Sequence, residues 1–95
     1  MEELEERVRR YVEIEEKALS RIKVIAPEDS YLEGLARDSL EMINNYFNDA
    51  KHFLEKGDLL NAFAALNYSY GWIDSGARLG IFDTSGDHKL FTLYR

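Results

Sequence analysis

In the stretch "DAKH", Asp49 and His52 stand three residues apart, the spacing at which a helix presents a carboxylate and an imidazole together to a metal ion. A site of that kind needs a second such pair and two further inward carboxylates. The only other histidine is His88, near the end of the chain, so no metal and no cofactor is expected. Asp74 and Arg78 are four residues apart and can pair along one helix. Glu15 falls on the same side as Val8, Tyr11, Leu19 and Ile22, where a carboxylate is costly unless paired or drawn to an edge. With Asn67 these residues form a candidate polar site of Glu15, Asp49, Asn67, Asp74 and Arg78, in which Arg78 is held by Asp74 and met by Asp49 or Glu15. The competing reading makes them boundary ion pairs that fix helix register.

Nucleophilic chemistry finds little support. Ser20, Ser30, Ser39, Ser69, Ser75 and Ser85 supply hydroxyls, but none sits in a Gly-x-Ser-x-Gly elbow, and none within the three expected helices lies at a helical spacing from a histidine. Gly71, Gly76 and Gly80 recur at helical packing intervals and do not form a phosphate-cradling turn after a strand. The chain is expected not to be an enzyme.

The 95 residues suit one domain, and 45% apolar with 32% charged residues is the balance of a folded protein. Cysteine is absent, which excludes disulfides and thiolate sites and fits a reducing cytoplasm. A net charge of -6 with dispersed basic residues argues against nucleic acid, Arg7, Arg9 and Arg10 being the one local basic cluster. The opening "MEELEERVRR" is charged where a secretory signal is apolar, and no apolar run approaches the roughly 20 residues that cross a bilayer, so no membrane association is expected.

Apolar residues recur with a 3.6-residue period in three segments, which predicts an all-α, antiparallel three-helix bundle. The first helix is expected over about 3–25, closed by Pro27, with Leu4, Val8, Tyr11, Ala18, Leu19 and Ile22 on one stripe. The second is expected over about 29–56, with Pro27, Glu28 and Asp29 near its first turn and Ser30 a competing cap. It should bury Leu35, Ser39, Met42, Ile43, Tyr46, Ala50 and Phe53. "EKGD" supplies a stop at Gly57 and a cap at Asp58, so the third helix, about 59–79, runs antiparallel to the second. Gly80 ends it, and 81–95 read as a hairpin-like or irregular tail around "DTSGD".

On a helical wheel the third helix shows two apolar sides. Leu59, Phe63, Leu66, Tyr70, Ile73 and Ala77 form a core stripe, and Ala65, Tyr68, Trp72 and Leu79 lie nearly opposite. Small residues flank both: Ala62, Ser69 and Gly76 on one border, Ala64, Gly71 and Ser75 on the other. Tyr68, Trp72 and Leu79 therefore need a cover, either the tail or another chain, and are the candidate interaction face.

The stretch "YFNDAKHFLEKGDLLNAFAALNYSYGWIDSGARLGIF" closely resembles a family of small archaeal helical proteins known as domain of unknown function three-five-seven. The resemblance runs from the first helix through Phe82. It is most specific at Asp49 and Ala50, "EKGD" at 55–58, "NAFAALNYSYGW" at 61–72 and "DSGARLG" at 74–80. It implies a short helical bundle in archaeal cytoplasm with no assigned activity. The hairpin with "AFAALNY" also looks like the helical nucleotide-binding fold that accompanies small nucleotidyltransferases. Ribonucleases of that group carry Arg five residues before His, whereas here Phe47 precedes His52 and Asp83 precedes His88. The expected function is a non-enzymatic protein-interaction or self-association module, with a homodimer among its forms. The alternative is a small-molecule or nucleotide-binding domain partnering a nucleotidyltransferase.

Overall fold

A computed structural model describes residues 3–83 of the chain. α1 (Leu4–Arg21) carries Glu5 and Glu6 in its first turn and Arg21 in its last, the charge order that complements a helix dipole. It ends four residues before the expected Ile25. Ile22, Val24 and Ile25 are β-branched, which lowers helix propensity, and Pro27 holds the chain extended behind them. Ile22 is already extended, with φ -67 and ψ 137, and Lys23–Val24 become a short strand, β1.

α2 (Tyr31–Glu55) starts two residues later than expected because Ser30 takes the cap. Its hydroxyl oxygen accepts from the Glu33 N–H at 3.1 Å, while the Glu33 carboxylate accepts from the Asp29 N–H at 3.1 Å. Serine and glutamate three residues apart thus satisfy one donor of the first turn and one on the residue just before the cap. The α2 terminus closes through the Gly57 N–H to Leu54 and the Asp58 N–H to Phe53. Asp58 then caps α3 (Leu59–Leu79), accepting from the Asn61 N–H at 3.3 Å and the Asn61 side-chain amide at 2.8 Å. Replacing Asp58 by Ala is expected to cost about 1 kcal/mol, read as a lower thermal midpoint by circular dichroism; an unchanged midpoint would show that the cap contributes nothing.

α2 and α3 form an antiparallel hairpin, and α1 packs chiefly along α3. Gly80, left-handed at φ 79, turns the chain out of α3 and aims it back across the bundle. There Phe82–Asp83 form β2, paired antiparallel to β1 with Val24 opposite Phe82 and Lys23 opposite Asp83. The expectation of a hairpin or irregular tail over 84–95 lies outside the described residues. No helix among the described residues is long and apolar enough to cross a membrane.

The core divides into two apolar clusters. Ala18, Ala36, Ile43, Ile73 and Phe82 fill one, and Val8, Phe47, Ala50, Ala62 and Leu66 fill the other. On α2 the inward line is Ala36, Ser39, Ile43, Phe47 and Ala50. Leu35, expected inside, is instead 42% exposed, because α2 meets α3 along the neighbouring Ala36 row. Leu4 is likewise exposed, ahead of the point where α1 reaches its partners.

Candidate functional site

Between the two clusters lies a polar layer. Glu15 of α1 and Ser69 of α3 are both fully buried. Their side chains are hydrogen-bonded, and the Ser69 hydroxyl also donates to the backbone carbonyl of Ile43 on α2 at 3.0 Å. One layer therefore ties all three helices together. A hydroxyl has one proton to give, so a charged Glu15 and the Ile43 carbonyl would compete for it. A protonated Glu15 resolves the competition by donating to Ser69, which then donates to Ile43. Burial favours that form, pushing the Glu15 carboxyl up from 4.5 to about 8 against a smaller downward pull from the Ser69 hydrogen bond. The second carboxyl oxygen, Oε1, is buried without a hydrogen-bond partner among the described residues, which adds to the cost of charging it.

The remaining members of the candidate polar site do not join Glu15. Arg78 Nε donates to Asp74 Oδ1 at 2.7 Å, the expected pair within α3, on a helix side where Arg78 is largely in water. Such a pair contributes a few tenths of a kcal/mol, about 0.3–0.5. Asn67 turns back to its own helix and donates to the Phe63 carbonyl at 2.9 Å. Asp49 is exposed on α2 with His52 close by, and among the described residues no group of three His, Cys, Asp or Glu could hold a metal. The partner of Glu15 is thus Ser69, a residue whose size and position on a small-residue border gave no polar signal.

The two small-residue borders of α3 meet different surroundings. Ala62, Ser69 and Gly76 are buried, whereas Ala64, Gly71 and Ser75 run down the middle of a face open to solvent. Around them Leu60, Tyr68 and Leu79 are 75%, 53% and 73% exposed. Trp72 departs from this pattern: it is half-buried and packs on the cluster around Ile73 and Phe82. Of the candidate face, Tyr68 and Leu79 are exposed, whereas Trp72 is packed on the core.

Tyr68 separates two shallow grooves on this side. One, of about 430 Å³, is lined by Asn67, Tyr68, Gly71, Trp72 and Ser75. The other, of about 280 Å³, lies between α2 and α3 and is lined by Tyr46, Asp49, Phe53, Asn61, Ala64, Ala65 and Tyr68. The Tyr68 ring is propped against Tyr46, with centroids 4.4 Å apart and planes tilted by 55°. That contact is of a kind worth about 0.5–1.5 kcal/mol.

A helical hairpin braced by a third helix, with an inward polar layer and an apolar face exposed among the described residues, is the architecture of a small all-α bundle protein. Within that class the chain belongs to the family described as "Protein of unknown function (DUF357)", whose sequence profile matches residues 10–82. No curated protein and no solved structure matches it.

Proposed function

We propose that the protein is a non-enzymatic interaction module that docks a protein surface through the open face of α3. One observation carries this reading. Residues 59–73 contain no charged side chain in a chain that is 32% charged, and yet Leu60, Ala64, Asn67, Tyr68 and Gly71 within that stretch are exposed. A helix face of four turns without a charge is poorly suited to water and well suited to the core of an interface, where charged residues are depleted and tyrosine is enriched. Asp74 and Arg78 line neither groove, which favours an extended interface over a small-molecule cleft with those two residues as its ligands.

The test compares the full chain with its Tyr68→Arg variant. The substitution gives up the ring contact with Tyr46, so it should cost no more than about 1.5 kcal/mol and leave the helical circular dichroism spectrum intact. Recovered from its host, the unaltered chain should carry a bound protein chain, either a second copy or a different protein, seen by the mass of the intact complex in native mass spectrometry, that the variant has lost. Equal recovery of the same protein by both would remove Tyr68, and with it this face, from the interaction.

A further inference from the structure

We infer that the occupant of this face is the same face of a second copy, with the two α3 helices antiparallel about a two-fold axis between Ser69 and Tyr70 and each Tyr68 ring seated over the partner's Gly71. The inference rests on the interaction-face reading and names its partner.

The exposed residues of α3 are self-complementary in that arrangement. In an antiparallel pair, residues equally distant from the axis oppose one another. Leu60 then meets the partner's Leu79, Ala64 meets the partner's Ser75, and Tyr68 meets the partner's Gly71; all three pairs share the one centre. Bulky apolar side chains close the two ends of the seam, small ones let the helices approach, and a ring faces a dent. All six residues are exposed, so the pattern uses surface that the fold leaves over.

Gly71 gives a second, independent reason. It lies mid-helix, where glycine is disfavoured against alanine, and a Cβ placed on it would find no atom within 4 Å. No neighbour among the described residues requires the glycine. A tyrosine ring arriving from outside does, and the groove beside Gly71, floored by Trp72, is the space it would enter.

Charge selects the orientation. Arg78 sits in the last turn of α3 and Asp58 caps its start. Antiparallel packing brings Arg78 of each copy beside the partner's Asn61 and Asp58, and opposes the helix dipoles. Parallel packing would set Arg78 against the partner's Arg78. A single pair of 21-residue helices covers less than the roughly 800 Å² per partner of a standard interface. The α2 edge at Tyr46 and Phe53, bordering the second groove, has to contribute, and the dimer is expected to be reversible.

Because the chain has no cysteine, introduced cysteines report directly. Positions 64 and 75 lie about 16 Å apart along one helix, so in the antiparallel pair each is beyond disulfide reach of the same position in the partner. The purified protein should sediment as a reversible dimer. Mixing Ala64→Cys with Ser75→Cys under mild oxidation should give a covalent heterodimer, and either variant alone should give little. Gly71→Leu, whose Cβ meets no atom among the described residues, should keep the fold by circular dichroism and weaken association tenfold or more. Cross-linking of each variant with itself would mean parallel helices and overturn the proposal, as would a dimer indifferent to Gly71→Leu. A strict monomer at millimolar concentration also overturns it. If that monomer still loses a different protein on Tyr68→Arg, the interaction face stands with another occupant; if it loses nothing, both readings fall.

Discussion

Between about pH 4.5 and pH 8, the protein should lose stability relative to its Glu15→Gln variant by about 1.4 kcal/mol per pH unit, because only the unfolded chain releases the Glu15 proton in that window. The folded carboxyl titrates near 8 and the unfolded one near 4.5. Below 4.5 both states hold the proton and Glu15 behaves as a neutral residue. As pH rises from there the unfolded state is favoured progressively, and above 8 the deficit levels off when the folded state also ionises. At pH 7 the difference is on the order of 3 kcal/mol, a large part of the 5–15 kcal/mol typical of a folded domain. Glutamine keeps the shape and can donate to Ser69 without ever charging, so the comparison cancels every other acid in the chain. Urea unfolding of both proteins from pH 4.5 to 9 measures it; parallel curves would mean that Glu15 is not buried as a neutral acid.

That residue also shows how far the sequence could be read. Glu15 stood out because a carboxylate broke an apolar stripe, which is visible in one dimension. Its partner did not, because an arginine or aspartate draws attention and a serine among small residues does not. What makes Ser69 matter is its depth where α1 crosses α3, and a helical wheel carries angle without depth. The same limit explains Trp72, which shares a side with Tyr68 and Leu79 on the wheel but sinks onto the core cluster. Local chemistry was more legible: "EKGD" and the "LG" at Gly80 bounded α3 at Leu59 and Leu79, since caps and left-handed stops act within a few residues. The end of α1 was not, because "IKVI" fits a helical period for one turn while its β-branched residues pair better as a strand.

Phe82 was the least legible element, being an apolar residue beyond a helix stop that proves to be a core residue at 2% exposure. Its place is made by Gly76, and the Gly76→Ala variant is expected to be about 3 kcal/mol less stable than the unaltered chain. A Cβ built on Gly76 would overlap the Cδ2–Cε2 edge of the Phe82 ring. The ring has little freedom to move aside, because Ala18, Ala36, Ile43 and Ile73 complete the cluster around it. Yielding would also strain the strand pairing that holds Val24 opposite Phe82 and the Ile25 N–H on the Ile81 carbonyl at 3.1 Å. Expelling a buried phenylalanine costs about 3–5 kcal/mol, and the better helix propensity of alanine returns about 1 kcal/mol. Gly71→Ala is the control: with open space at its Cβ, it should gain that propensity alone in the monomer. The double variant Gly76→Ala, Phe82→Ala isolates the cause. If the clash is the origin of the loss, Gly76→Ala should cost little once the ring is gone, so the two changes together destabilise by less than their sum. Strict additivity in chemical unfolding would place the effect of Gly76 elsewhere in α3 and leave Phe82 without its seat.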